Sequence, residues 1–300
     1  MPPLVSTIIP TYNRRDDVVV AIRTALAQSY PSQEIIVVDD GSTDGTSSLL
    51  ETEFGSALRI LRTERLGVSG ARNHGMVAAR GDYIALLDSD DEWLPEKLAK
   101  QVAFLEERPD FGMVMTDVAQ MNRERTTFAV LRRREAIPVD GDVVRHVLRQ
   151  PALVPASILL RRRVLDDVGM FDTTLPTAED IDFHLRVAAS WKIGVIAEPL
   201  TRAMRGHDGL SALSRTYSDY MAVLDRFVAQ HPELPAEDRQ AGWWAATLRN
   251  VRGLIVSGHL GTALAVAGRA TLRARGFGDV VALARLAPLA VAVGVRRAVR

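Results

Sequence analysis

No cysteine occurs among the 300 residues. Disulfides and thiolate metal sites are therefore excluded, and any metal must take oxygen or nitrogen ligands. Net charge is absent too. The 37 basic residues balance 37 acidic ones, which counts against a protein that holds nucleic acid through a positive surface. No stretch reaches the roughly 18 uncharged apolar residues that read as a membrane span. The opening Met1-Pro2-Pro3-Leu4 has neither the basic nor the apolar stretch of a secretory signal. Internal repeats and low-complexity linkers are also missing. A cytoplasmic location fits these absences, and nucleic acid is not an expected partner.

What is present is ordinary globular composition, 47% apolar and 25% charged. The length suits one large domain, or a domain with an appendage. The zero net charge hides an asymmetry. From Arg239 onward there are ten arginines and one acid, Asp279, so the body is acidic relative to its tail.

The first hundred residues alternate strand-like and helix-like segments. Leu4–Pro10 is a short apolar run rich in β-branched residues, and Val18, Ile22 and Leu26 then recur with the spacing of an amphipathic helix. Glu34–Asp39 reads as a second strand, ending in the turn-rich Asp40-Gly41-Ser42-Thr43-Asp44-Gly45. A short helix carries Leu49, Leu50 and Phe54. Leu58–Leu61 reads as a strand, Val68–Ala79 as a helix, and Tyr83–Leu87 as a fourth strand. Leu98, Val102 and Leu105 mark another helix, which Pro95 is expected to open at its first position. This alternation predicts parallel βαβ units, whose ligands bind beyond the C-terminal ends of the strands. Between about 112 and 206, strand-like pieces (Gly112–Thr116, Ser157–Leu160, Ile193–Ile196) mix with helical ones. After Leu213 the pattern is helical.

Three strand ends carry polar groups: Pro10-Thr11-Tyr12-Asn13, Asp39-Asp40-Gly41-Ser42, and Asp88-Ser89-Asp90-Asp91. A parallel sheet brings them to one edge. There they suit a nucleotide, with the base stacked on Tyr12 and a base N–H donated to Asp40. Three carboxylates within four residues repel one another. A hard divalent cation, Mg²⁺ or Mn²⁺, bridging them to a diphosphate would relieve that cost.

The segments VSTIIPTYNR, IIVVDDGSTDGT, GVSGARNHGM and GDYIALLDSDDEWLPEKL resemble the successive signatures of the family 2 glycosyltransferases. The likeness runs through about residues 4–105. It resumes at Thr177-Ala178-Glu179-Asp180 and at Arg205-Gly206-His207, and it does not reach beyond about 213. It implies the GT-A fold: α/β, with a Rossmann-like, mostly parallel central sheet flanked by helices, here carrying a C-terminal helical extension. On this reading residues 1–212 form the GT-A domain, with a nucleotide-binding half at 1–110 and an acceptor half at 111–212, and residues 213–300 are the helical region. Thr11, Tyr12 and Asp40 fall where that family holds the base and ribose. Arg72 and Asn73 lie in the segment that meets the nucleotide. Asp88 matches the residue near ribose and metal, Asp90 the carboxylate that holds Mn²⁺ or Mg²⁺ on the diphosphate, and Asp91 completes the pattern. Asp180 matches the catalytic base. His207 lies in a stretch resembling the family's late His loop, near the diphosphate or metal, and Arg205 could pair with phosphate there.

The chemistry implied is an inverting transfer of a sugar from a nucleotide-diphosphate donor, a UDP-sugar being the family's commonest, to a glycan or lipid-linked acceptor hydroxyl. The setting implied is bacterial cell-surface glycan, polysaccharide or glycolipid synthesis. A hydroxyl is a poor nucleophile, so a carboxylate must take its proton as it attacks. Two other readings compete: a GT-A binding module without activity, and a nucleotidyltransferase, against which Pro-Thr-Tyr-Asn stands where a Gly-rich phosphate loop is expected.

Several features have a plainer reading beside a functional one. Thr177 and Asp180 could form a helix-capping box. The arginine runs at 132–134 and 161–163 could meet an anionic acceptor or be solvated faces. Trp93 could line an acceptor wall or pack a helix start, and Trp243-Trp244 could be buried or interfacial. His74 and His184 read as structural. Asp279–Arg300 is apolar apart from its basic groups and Asp279, and Arg285, Arg296 and Arg300 share one stripe of it. Such a stripe suits either peripheral membrane contact through 276–300, on the inner face of the cell membrane, or packing on the body or a second subunit.

Overall fold

The structure is a computed structural model and describes residues 1–131, 143–149, 154–205, 215–271 and 283–288. The chain begins β1 (Val5–Thr11), α1 (Arg15–Leu26), β2 (Gln33–Asp39), α2 (Thr46–Phe54), β3 (Arg59–Arg62), α3 (Gly67–Ala78) and β4 (Tyr83–Leu86). It continues with β5 (Glu92–Trp93), α4 (Lys97–Glu106), β6 (Phe111–Met121), β7 (Thr127–Leu131), α5 (Val143–Arg149), β8 (Ile158–Arg161) and α6 (Val164–Val168). Then come α7 (Glu179–Ser190), β9 (Lys192–Met204), α8 (Arg215–Gln230), α9 (Ala236–Val256) and α10 (Leu260–Thr271).

One sheet takes the order β3-β2-β1-β4-β8-β6-β9-β5, with β7 paired to β6. The first four of these strands are parallel, as βαβ alternation requires. The rest is mixed. β8 runs antiparallel to both β4 and β6, β6 and β9 are parallel, and β5 and β7 are antiparallel additions.

β1 is buried along its whole length, as a parallel strand covered on both faces must be. Val5, Ile9, Ile35, Val37, Ala85 and Leu87 join a core with Val18 and Ile22 of α1 and Leu98 and Val102 of α4. The opposite face, with Ile8 and Val38, receives α3 at Gly75. A Cβ added there would lie 2.5 Å from the Ile8 Cγ2 and 3.2 Å from the Val38 Cγ2. Glycine is what allows so close an approach.

Three details depart from the sequence reading. Leu26, at the end of the α1 stripe, is exposed, because the helix ends there. Pro95 does not open α4. The Pro95 carbonyl accepts the Ser29 N–H at 2.8 Å, and the helix starts two residues later with Glu96 at its N-cap. The short β5 went unread because its partners, Thr201 and Arg202, are more than a hundred residues away.

The chain divides into two compact units. The first comprises Met1–Val144, Ala152–Thr174 and Phe183–His207, and the second Arg145–Pro151, Leu175–Asp182 and Asp208–Arg300. In the second unit Trp244, Val251, Leu254, Ile255, Ala263, Ala270 and Leu283 share an apolar cluster. Trp244 is buried in it, with Trp243 packed edge-on at 5.3 Å. Asp238, also buried, is held by Arg145 and Arg149 at 2.8 and 3.3 Å. Among the described residues no helix is long and apolar enough to cross a membrane.

Candidate nucleotide and metal site

Register brings the three polar strand ends together. Thr11 stands opposite Asp39, the Asp40 N–H donates to the Thr11 carbonyl at 2.9 Å, and Leu87 N–H donates to the Ile8 carbonyl at 3.0 Å. The loops after β1 and β2 are tied to each other. Asn13 N–H donates to the Ser42 hydroxyl at 2.9 Å, and Thr43 N–H donates to the Asn13 side-chain carbonyl at 2.8 Å. Thr11 is buried, and its hydroxyl has no hydrogen-bond partner among the described residues. A buried, unpaired hydroxyl costs stability unless something else satisfies it.

Asp40 is buried and busy. Its carboxylate accepts the Thr63 hydroxyl at 2.6 Å and the Leu66 and Gly67 N–H groups at 2.7 and 2.8 Å. Those two amides open α3, so Asp40 fastens the helix N-terminus to the β2 edge. A carboxylate offers about four acceptor positions, which leaves room for one further donor. Tyr12 carries the Arg65 guanidinium over its ring at 4.4 Å. Arg65 adopts a φ of 55°, a left-handed conformation rare outside glycine. Its side chain lies against Gly41, where a Cβ would stand 3.3 Å from the Arg65 Cγ.

The acidic cluster is neutralised by arginines. Arg72, buried on α3, pairs with Asp88 at 2.7 Å and lies over the Phe171 ring at 5.2 Å. Asn73, next to it, holds the Phe171 backbone at both ends, its amide nitrogen donating to the carbonyl at 2.8 Å and its amide oxygen accepting the N–H at 3.0 Å. Arg14 pairs with Asp90 at 2.7 Å. Asp91 is buried and accepts the Met204 N–H at 2.8 Å. Burial, with Asp88 and Asp90 beside it, pushes its carboxyl well above the usual range.

Among the described residues no three Asp, Glu or His side chains form a ready-made metal cage. The donor set nevertheless fits a hard divalent cation. Asp88 and Asp90 supply oxygen only, and Mg²⁺ characteristically takes one or two carboxylates and completes its shell with phosphate and water. His207 lies outside the described residues, as do Arg132–Arg134 and most of 276–300.

Asp180 belongs to the second unit and lies in the first turn of α7 with Glu179 and Asp182. The Thr177 hydroxyl donates to Asp219 at 2.7 Å, and the Asp180 carboxylate accepts the Ile181 N–H at 2.8 Å. Ala178, two residues earlier, has a φ of 64°. An alanine held in the left-handed region costs about 1–2 kcal/mol, and such strain gathers at functional sites.

Other candidates make structural contacts. Trp93 is buried and its indole N–H donates to the Ala156 carbonyl at 2.7 Å. Arg161, Arg162 and Arg163 donate to the carbonyls of Phe111, Gly81 and Pro109 at 3.0, 2.7 and 2.7 Å. They bind strand ends together, and Arg163 stays exposed. His184 is buried and His74 exposed. The sequence reading missed Arg14, Arg65 and Phe171 as parts of this site. Arg14 stands in the quoted first segment, three residues after Thr11. Phe171 carries no local signal, because its role comes from contact with residues about a hundred positions away.

The family model described as "Glycosyl transferase family 2" matches residues 6–169. The chain belongs to that family. Among its relatives is the putative teichuronic acid biosynthesis glycosyltransferase TuaG of Bacillus subtilis, 43% identical over 109 residues, which are 35% of this chain and 43% of the relative. Another is the UDP-Glc:alpha-D-GlcNAc-diphosphoundecaprenol beta-1,3-glucosyltransferase WfaP of Escherichia coli, 40% identical over 104 residues, 34% of this chain and 41% of the relative. The chain thus spans about two fifths of either relative's length. Among solved structures, the mannosyltransferase PcManGT of Pyrobaculum calidifontis, in complex with GDP-Man and Mn²⁺, superposes with a TM-score of 0.63 over 97% of this chain and 81% of that one, at 22% identity. The shared fold is GT-A, and in this family 2 member it continues into C-terminal helices.

Proposed function

We propose that this family 2 member is an inverting glycosyltransferase that moves a sugar from a nucleotide-diphosphate donor, a UDP-sugar, to a hydroxyl of a glycan or lipid-linked acceptor. Its place would be bacterial cell-surface glycan or polysaccharide synthesis at the inner face of the cell membrane. One observation carries the reading. The ends of β1, β2 and β4 meet at one sheet edge, where an unpaired buried Thr11 hydroxyl stands beside Asp40 and the arginine-neutralised pair Asp88 and Asp90.

In this account Tyr12 stacks the base, Thr11 and Asp40 take its polar edge, and Arg72 and Asp88 position the ribose. Asp90, with His207, holds Mn²⁺ or Mg²⁺. The cation, when bound, supplies charge stabilisation for the departing diphosphate. Asp180 takes the acceptor's proton as the hydroxyl attacks from the face opposite the leaving group, which inverts the anomeric carbon.

Asp180→Asn should keep donor affinity, measured by calorimetry, while turnover falls roughly 10²–10⁴-fold. If donor affinity fell as far as turnover, Asp180 would be a binding or structural residue. The WfaP and TuaG names favour a cell-surface acceptor, and the GDP-Man complex of PcManGT makes GDP the first alternative to UDP.

A further inference from the structure

The two arginines on the acidic cluster are held in different ways. Arg72 is buried, with its side chain 4% exposed, and it is wedged between Asp88 and the Phe171 ring. Arg14 is 31% exposed. It occupies the N-cap of α1, where a guanidinium, having donors only, cannot cap the helix N–H groups. Among the described residues Asp90 is its one side-chain partner. Asp90 in turn is 11% exposed at the side chain and stands in a cluster whose mutual repulsion needs a counter-charge. Arg14 therefore places positive charge at an Asp90 oxygen, as a bound cation would, and among the described residues this pair alone holds its side chain there.

We infer that Arg14 is an exchangeable counter-ion for Asp90. Without donor it occupies the carboxylate. When Asp90 takes up a divalent cation, Arg14 leaves it and pairs with the diphosphate oxygens of the incoming donor. The inference rests on the proposed donor and metal site and adds a role that couples them. Releasing a guanidinium beside a new divalent charge is unfavourable on its own. It becomes favourable once two phosphates arrive to receive it, and guanidinium suits phosphate oxygens well. Cation uptake is thereby tied to donor uptake, and the free enzyme holds its acidic cluster closed against metal.

The test compares the wild-type 300-residue chain with Arg14→Gln and Arg14→Lys. Mn²⁺ binding is read from the loss of the free-ion EPR signal, without nucleotide and then with UDP or GDP. Asp90→Asn serves to subtract any Mn²⁺ held elsewhere. Circular dichroism and a thermal melt establish that each variant is folded. Arg14→Gln should bind Mn²⁺ alone about tenfold more tightly than wild type, because its competitor is gone. It should bind the nucleoside diphosphate with Mn²⁺ roughly ten- to a hundredfold more weakly, the worth of a lost charge-assisted hydrogen bond. Arg14→Lys, which keeps the charge, should leave Mn²⁺ alone weakly bound. The inference is overturned if Arg14→Gln binds Mn²⁺ alone no more tightly than wild type, or if its nucleotide affinity is unchanged. Failure of the donor-site reading looks different: wild type itself would then take up neither UDP nor GDP with Mn²⁺.

Discussion

At the scale of single residues, charge decides most of what is unusual here. Lys97 is fully buried, with its ammonium 4.1 Å from the Trp93 ring centroid and donating to the Gln101 side-chain oxygen at 2.7 Å. Burial pushes its pKa well below the ordinary lysine value. Between that lowered value and the unfolded value near about 10.4, the unfolded chain binds a proton that the folded chain lacks. Stability therefore rises with pH across this window, by at most about 1.4 kcal/mol per unit from this group. Lys97→Met should flatten the slope. Urea unfolding at several pH values between neutral and 10 measures it, and a variant that keeps the wild-type slope would show that Lys97 stays charged in the core. The candidate site residues could be named because they lie in contiguous segments: Thr11, Tyr12, Asp40, Asp88 and Asp90 stand in or beside strand ends, and Arg72 lies on α3. Their partners could not. That Asp40 would fasten the α3 N-terminus, or that Arg14 would cover Asp90, depends on register between strands, and nothing local to either residue encodes it.

At the scale of elements, hydrophobic period was a good guide wherever packing is one-sided or the run is short and bounded by turns. It failed where long-range partners define the element. β5 exists only because Glu92 and Trp93 meet Arg202 and Thr201. The same two-residue strand anchors a charge network, in which the buried Glu92 holds Arg125 at 2.6 Å and Arg202 at 2.5 Å. α4 begins late because Ser29 claims the Pro95 carbonyl. The close packing of α3 on β1 yields its own prediction. Gly75→Ala places a methyl 2.5 Å from the Ile8 Cγ2. Overpacking costs about 1–3 kcal/mol, against about 1 kcal/mol gained in helix propensity. A net loss of up to about 2 kcal/mol in urea unfolding is expected. Stability raised by the full propensity gain would mean that α3 moves off β1 without cost. Since α3 also carries Arg72, that outcome would weaken the argument for a rigid pairing with Asp88.

At the scale of the whole molecule, family membership rests on residues 6–169, whereas Asp180 lies beyond that span, in a short segment grouped with the C-terminal helices. The first unit holds the motifs that are continuous in sequence, which is why candidate donor-site residues could be named there. The helical region could be recognised as helical, and its buried Trp244 and Asp238 show an apolar core with an arginine-held carboxylate inside the second unit. Its partners are not written in a periodic pattern. The central claim is that the edge formed by β1, β2 and β4 binds a nucleotide diphosphate together with a divalent cation. Calorimetric titration of UDP and GDP into the 300-residue chain, with Mn²⁺ and again with EDTA, tests it most directly, with Asp90→Ala run beside wild type. The account predicts saturable binding of one of the two nucleotides with Mn²⁺, a large loss in EDTA, and the same loss in Asp90→Ala at unchanged melting temperature. Binding that is absent with Mn²⁺, or equally strong in EDTA and in Asp90→Ala, would contradict it.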